Sequence, residues 1–224
     1  RLCLRYDLTV PFSRFVGMNP NLKVPFKKYL MGEVFRDGPI KTGRYREFMQ
    51  MDPDIYGTES VLADAEIIAV TSTVFANLGL PCVIEFNNRK LIDGLLEQVG
   101  IPEEKHFEVV VSIDKLKKLG EAGVTDELRE KGLTQKQIAS LITTFTPSKD
   151  NSATLKRLKK SITSPTGKEG LKEIEDILHY LKLFGVTNAV FLPSLARGLA
   201  YYTGPVYEAY LTDSSITSSA AGGG

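Results

Sequence analysis

The stretch YLMGEVFRDGPIKTGRYREFMQMDPDIY, Tyr29–Tyr56, decides how the rest of the chain is read. Tyr29 to Arg36 alternates in character, Asp37 to Gly43 (DGPIKTG) supplies turn formers, and Arg44 to Tyr56 alternates again. Two period-2 runs around such a segment predict an antiparallel hairpin with a loop too long for a tight turn. On the second run, alternation puts Arg46, Phe48, Gln50, Asp52 and Asp54 on one face and Met49 and Met51 on the other. If the Met face packs on the core, the opposite face is either an ordinary wet surface or a groove floor presenting an amide and carboxylates to a polar ligand. Pro53 removes a ladder donor, which predicts a bulge or an edge there. Arg36, Lys41, Arg44 and Arg46 surround the loop. Four cations on a turn suit a phosphate-rich ligand, and equally a solvated hairpin tip. The loop lacks the G-x-x-x-x-G-K-[ST] pattern of a Walker A motif.

Working outward, Arg1 to Val10 reads as strand-like. Ser60 to Leu80 reads as a long helix with Ser60 as N-cap, Leu62, Ala65, Ile68 and Ala69 on one face, and Gly79 at its end. Val83 to Phe86 is a short strand. Beyond Asn87 the texture changes. Lys90 to Val99 is helical and stops at Gly100, and Phe107 to Ile113 is a strand or a buried apolar run. Thr134-Gln-Lys-Gln137 has capping-box form ahead of a helix through Phe145. Lys168 to Phe184 carries Leu171, Ile174, Leu178 and Leu181 on one stripe and ends at Gly185. Pro147 to Ser152 and Ser164 to Gly167 read as loops. Strand character returns at Ala189 to Leu192 and Tyr201 to Leu211, before a Ser- and Gly-rich end. Strands, a helical stretch, then strands again predict a sheet interrupted by an inserted module.

Composition sets the outer limits. With 224 residues, 42% hydrophobic and 25% charged, the chain can bury a substantial core. A formal charge of +1 neither demands nor excludes a nucleic-acid partner. No apolar run approaches the ~20 residues needed to cross a bilayer, and the start does not resemble a signal peptide. A soluble, cytoplasmic protein is expected. Cys3 and Cys82 are the two cysteines, each among apolar neighbours, and read as buried free thiols. With only His106 and His179 as histidines they form no zinc ligand set, so no tightly bound structural metal is expected. The absence of an initiator Met and the end on Gly222-Gly223-Gly224 fit a piece of a longer protein.

A third segment, Leu195-Ala-Arg197-Gly-Leu-Ala-Tyr201-Tyr202-Thr203-Gly204, places an Arg among small residues ahead of paired tyrosines. This is an Arg stacked on aromatics at a core edge, or a cation beside an aromatic binding wall. Taken together, Leu4-Arg-Tyr-Asp-Leu-Thr9, Phe35-Arg36 with Gly43-Arg-Tyr-Arg-Glu-Phe-Met-Gln50, and Ala196-Arg-Gly-Leu-Ala-Tyr-Tyr-Thr-Gly204 resemble the histidyl-tRNA synthetases, class II aminoacyl-tRNA synthetases. Order and spacing match across nearly the whole chain. Residues 87–186 resemble the family's insertion only in position and helical character.

The resemblance implies an α+β fold: a class II antiparallel sheet flanked by helices, with core parts at 1–86 and 187–224 and a mostly helical insertion at 87–186. It implies activation of histidine by ATP, with Mg2+ as part of the substrate complex, and transfer to tRNA(His), in a protein whose parent is a homodimer. Arg36 matches the motif 2 arginine that grips the α-phosphate and the carboxylate. Arg197 matches the arginine peculiar to the family, on the other side of that phosphate. Two guanidiniums flanking one phosphorus suit charge building in a phosphoryl-transfer transition state. Asp7, Thr9 and Gln50 match positions around the substrate ammonium. Asp54 and Tyr202 match those that read the imidazole, and Tyr201 and Gly204 belong to the same wall. Lys41 and Arg44 fall in the motif 2 loop, near ATP phosphates or the tRNA acceptor end. Lys156, Arg157, Lys159 and Lys160 cluster in the insertion, as a tRNA contact or a solvated basic face.

Departures from the family pattern stand at Asp7 and Asp54, where Glu is usual, and at Ala200, often Asp. Arg36 is followed by Asp37-Gly38 rather than x-Glu. Motif 1 would precede Arg1, and motif 3 and the anticodon-binding domain would follow Gly224. Two rivals remain. One is a synthetase-like regulatory module, sensing uncharged tRNA or paired with ATP phosphoribosyltransferase. The other is a nucleotidyltransferase using Asp52-Pro-Asp54 as metal ligands.

Overall fold

The computed structural model describes residues 2–196, 202–212 and 215–224. The hairpin forms as the alternation requires. β1 (Phe26–Phe35) pairs antiparallel with β2 (Glu47–Tyr56) in an unbroken register from Phe26↔Tyr56 to Phe35↔Glu47. Pro53 lies opposite Tyr29 without a bulge, and β2 pairs with β1 alone, so its missing donor points away from the ladder. The loop folds back on itself between Lys41 and Arg44, with Gly43 at φ 73°, a conformation open to glycine.

The segment ahead of the hairpin departs from its strand-like reading. Residues 2–8 form no strand and are joined to β1 where the Phe35 amide donates to the Arg5 carbonyl at 2.9 Å. Helix α1 (Thr9–Met18) begins where Asp7 Oδ1 accepts from the Val10 amide at 3.0 Å. Pro11 is tolerated there because the first helical amides have no intrahelical acceptor. α1 buries no residue fully, and Phe12 and Phe15 cluster with Phe26 at centroid distances of 6.1–6.4 Å. Cys3 is exposed in this segment, contrary to the expectation of a buried thiol, whereas Cys82 is buried. The apolar neighbours of Cys3 are themselves exposed.

The second sheet has strand order β4-β3-β5-β6, with β3 (Cys82–Asn88), β4 (Ala189–Phe191), β5 (Pro205–Leu211) and β6 (Ala221–Gly223). It brings together strands more than 100 residues apart. The β3–β4 pair is parallel and the others antiparallel, so this sheet is mixed. The two sheets are separate among the described residues. The glycine-rich end forms β6. A Cβ on Gly223 would sit 2.8 Å from the Tyr207 ring, so only glycine allows the strand this close.

Among the described residues seven helices make up the rest: α2 (Leu62–Asn77), α3 (Arg89–Val99), α4 (Glu103–Asp114), α5 (Leu116–Glu130), α6 (Gln135–Phe145), α7 (Asn151–Ser161) and α8 (Pro165–Leu183). α2 starts after Val61. Ser60 still contributes, its Oγ accepting from the Leu62 amide at 3.3 Å. α4 resolves the ambiguous run Phe107–Ile113 as helix. His106, Val109, Val110 and Ile113 fall on one buried stripe at helical spacing, and burial overrides the β preference of three consecutive valines. Pro102 and two first-turn glutamates start that helix. Two expected loops are partly helical: Asp150 caps α7 through the Ala153 amide, and Ser164 caps α8 with Pro165 in its first turn. The capping box of Thr134 and Gln137 is present at α6.

α3 and α8 approach closely because both carry glycine at the crossing. A Cβ on Gly94 would meet the Gly167 amide nitrogen at 2.2 Å, and one on Gly170 would meet the Leu91 nitrogen at 2.5 Å. Ile84 and Phe86 of β3, Ile68 of α2, Phe191 of β4 and Ala209 of β5 join the helical residues in one continuous core. The hairpin and α1 contribute nothing to that cluster and attach at its margin, where Lys27 pairs with Glu66 of α2 at 2.6 Å. No helix among the described residues is long and apolar enough to cross a membrane.

Candidate functional site

The hairpin turns its polar face inward. Met49 and Met51, with Tyr29 and Met31 beside them, are exposed, whereas Gln50, Asp52 and Asp54 are half-buried. This reverses the orientation in which the Met face would meet a core. Gly32, opposite Gln50, makes room on the inner face: a Cβ there would lie 2.5 Å from the Arg5 guanidinium, which donates to the Glu33 carbonyl at 2.6 Å.

Arg36 stands at the end of β1 with its guanidinium between two rings, 4.7 Å from the Tyr6 centroid and 5.1 Å from that of Phe48. Nε donates to the Tyr6 carbonyl at 3.2 Å and Nη2 to Gln50 Oε1 at 3.0 Å. These bonds use two of the five guanidinium donors while fixing its plane. Gln50 passes the order on, its Nε2 donating to both Asp52 oxygens at 2.6 and 2.8 Å. The result is a relay of Tyr6, Arg36, Gln50 and Asp52 across the face.

Asp54 closes the row. It forms an ion pair with Lys28, the residue directly across the ladder, and Lys28 Nζ also donates to the Asp52 carbonyl at 3.2 Å. Burial pushes the Asp52 carboxyl above its ordinary range. The Gln50 hydrogen bond opposes this, Asp54 reinforces it, Lys28 opposes it, and Asp7 reinforces it. Asp7 therefore lies within electrostatic reach of the same pocket, carried there by the start of α1. Thr9 is the first residue of α1 and is exposed. Lys41 and Arg44 are exposed on the turn and bonded main chain to main chain. A Cβ on Gly43 of that turn would come within 3.1 Å of Ile216, so the segment after β5 returns to the hairpin loop.

Tyr202 and Gly204 stand on the other sheet, just ahead of β5, where the Gly204 carbonyl accepts from the Arg89 amide at 2.8 Å. A Cβ on Gly224 would lie 2.7 Å from the Tyr202 ring. Arg197 and Tyr201 lie outside the described residues. The segment leading to them is tightly held. Fully buried Asn87 donates to the Pro193 and Leu195 carbonyls at 2.7 and 3.0 Å, and Asp114 Oδ1 accepts from the Ala196 amide at 3.0 Å. Below it, Lys117 pairs with Glu85 at 2.5 Å and sits 4.7 Å over the Tyr210 ring, whose hydroxyl donates to Glu208. Burial raises the Tyr210 phenol above its ordinary value, helped by Glu208, and raises Asp114 in the same way.

The basic cluster of α7 divides. Arg157 donates to Ser148 Oγ and to the Thr143, Thr144 and Thr146 carbonyls, all within 2.6–3.2 Å, so it satisfies the open C-terminal carbonyls of α6. Lys159 pairs with Glu175 at 2.6 Å, and Lys156 and Lys160 are exposed. Lys28, Asn87 and Asp114 were not singled out from the sequence. A hairpin register pairing residues 28 and 54 would have exposed the first, but nothing local marks the other two.

A protein-family model described as Histidyl-tRNA synthetase matches residues 1–224. Histidine--tRNA ligase 1 of Bacillus cereus (strain ATCC 10987 / NRS 248) is 45% identical over 224 residues, which is 100% of this chain and 51% of the relative. Histidine--tRNA ligase of Bacteroides fragilis (strain YCH46) is 41% identical over 98% of this chain and 49% of its own. The crystal structure of histidyl-tRNA synthetase from Nostoc sp. PCC 7120 superposes with a TM-score of 0.84 at 32% identity, covering 92% of this chain and 49% of that one. A structure described as an ATP phosphoribosyltransferase regulatory subunit/histidyl-tRNA synthetase, from Bacillus halodurans C, superposes at 0.80 with 21% identity, a likeness of fold. The chain spans about half the length of the curated relatives it matches.

Proposed function

Since this chain belongs to the histidyl-tRNA synthetase family, we propose that it supplies the histidine-activating site of a histidine–tRNA ligase. The observation that carries this reading is the row Arg36, Gln50, Asp52 and Asp54 on one half-buried strand face, with Asp7 at its edge. Such a row offers one end of a small zwitterion a guanidinium and the other end carboxylates. Histidine would lie along it with its carboxylate toward Arg36, its ammonium near Asp7, Thr9 and Gln50, and its imidazole toward Asp54 and Tyr202.

The reaction is attack of the histidine carboxylate on the α-phosphorus of ATP, with pyrophosphate leaving. Arg36 is held flat between Tyr6 and Phe48, so its remaining donors meet an oxygen without reorganisation, where preorganised charge is worth most. Arg197 would neutralise the opposite side of the same phosphate, and Arg44 would meet the ATP phosphates, with Mg2+ bound to them. An acid facing the imidazole excludes apolar isosteres, because an unpaired buried carboxylate is costly. Tyr201 and Gly204 would complete the wall beside Tyr202. Transfer to tRNA(His) would follow, with Lys41, Lys156 and Lys160 touching the tRNA backbone, in a cytoplasmic homodimer. Arg157 and Lys159, grouped with them in the sequence, also have protein partners.

Histidine-dependent exchange of pyrophosphate into ATP by the full-length protein tests the reading. Arg36→Gln should lower the rate by a factor on the order of 10³, a typical loss when one preorganised transition-state donor is removed. Undiminished exchange would reject the assignment of this row.

A further inference from the structure

Lys28 takes no part in the motifs that carry the family resemblance, yet it is more enclosed than the carboxylate it pairs with. Its side chain is 9% exposed, against 32% for Asp54. Two different elements fix its ammonium: β2, through Asp54 and the Asp52 carbonyl, and α1, through the Phe12 ring, whose centroid lies 4.5 Å away. Lysine loses rotamer freedom when immobilised, so a site that fixes it this thoroughly must recover that through contacts.

The two oxygens of Asp54 are not equivalent. Oδ2 is buried and faces Lys28, so the exposed part of the side chain lies on the Oδ1 side. Asp7 and Asp52 add two more carboxylates to the same pocket. An aspartate in that company would be repelled by its neighbours and free to rotate onto whatever donor was nearest. A lysine on the inner oxygen removes both problems: it offsets the crowding of charge and clamps the carboxylate plane.

We propose that Lys28 is a positioning residue for substrate selection: it anchors Asp54 by its inner oxygen so that the outer oxygen is presented, fixed in direction, to the imidazole N–H of histidine. The inference rests on the reading that Asp54 receives the imidazole. It also accounts for aspartate at position 54, because the cross-strand lysine reaches a short side chain within the ladder without displacing β2. Anchoring acts on histidine alone, since ATP is gripped by other groups.

Pyrophosphate exchange by the full-length protein separates the possibilities, using Lys28→Met, Lys28→Gln, Lys28→Arg and Asp54→Asn, with melting temperature recorded for each. Lys28→Met and Lys28→Gln should raise the KM for histidine at least tenfold while leaving the KM for ATP within about threefold. Lys28→Arg, which keeps the charge and can still lie over Phe12, should recover most of the loss. In Lys28→Met/Asp54→Asn the effects should not multiply, because one anchor serves one carboxylate. If Asp54→Asn raises the histidine KM and Lys28→Gln does not, the positioning role is wrong and the reading of Asp54 stands. If Asp54→Asn has no effect on the histidine KM, both fall. A Lys28→Met protein that fails to fold leaves the decision to Lys28→Gln and Lys28→Arg, and loss of affinity for histidine and ATP alike in those two would overturn the proposal.

Discussion

The hairpin with α1 and the helical body with the second sheet are built on opposite terms. In the body, Phe86, Phe145, Phe191 and a set of leucines and isoleucines are fully buried, and polar side chains cap helices or hold single loops, as Asn87 does. Among the described residues of the hairpin region only Leu8 and Val34 are buried, and the enclosed face carries Arg36, Gln50, Asp52, Asp54 and Lys28. Close packing of apolar groups gives the body its stability, whereas the hairpin is held by a ladder, stacked rings and ion pairs. Polar groups fixed in a half-enclosed setting are costly to assemble but ready to meet a charged ligand. The body holds most of the apolar core, and the hairpin holds the enclosed polar row on which the proposed function rests.

That division breaks if core damage behaves like site damage. Phe86→Ala, which empties a position packed against Phe191 at 6.1 Å, should cost about 4 kcal/mol by chemical denaturation. The surviving folded protein should keep its KM for histidine. A large KM change at unaltered stability would mean that the two regions are one system.

A smaller effect sits within the body, between α2 and α8. Burial raises Asp64, in the first turn of α2, from 3.8 to about 6, with Glu173 adding to the shift. A carboxyl raised in the folded state contributes stability that is full below its unfolded pKa and is lost as pH rises through the folded one. Asp64→Asn should therefore match the parent near pH 4 and be more stable at pH 8. After discounting for screening the gain is ~1–2 kcal/mol, a few degrees in Tm. Equal melting curves at both pH values would show that the carboxylate is better solvated than its surroundings indicate. The smallest effect is expected from the proposed tRNA contact: Lys156→Glu with Lys160→Glu should raise the tRNA KM about fivefold, on the order of 1 kcal/mol. Exchange should be unchanged, and unaltered tRNA kinetics would remove these two lysines from the interface.

The same contrast explains what could be read before the structure. Alternation located both hairpin strands, and the residue types on β2 identified a polar face, because a period of two is written in the chain itself. Which face turns inward was not written there. That depended on Tyr6, Phe48 and α1 enclosing the polar side and leaving Met49 and Met51 in solvent. α4 was ambiguous because three valines favour a strand while their burial spacing favours a helix, and packing decided it. Arg157 read as part of a charge cluster, but its guanidinium spans the end of α6, a partnership between segments that sequence neighbours cannot reveal. Lys28 was hidden for the same reason, since its meaning lies in the residue across the ladder.

The most direct test of the account is the amino-acid dependence of pyrophosphate exchange by the full-length protein, run against all twenty amino acids. It predicts exchange with histidine and no more than about a thousandth of that rate with any other, as expected when buried polar groups read a substrate N–H. Exchange that is absent with histidine, or comparable with glutamine or phenylalanine, would contradict the claim that the inward polar face of this hairpin selects and activates histidine.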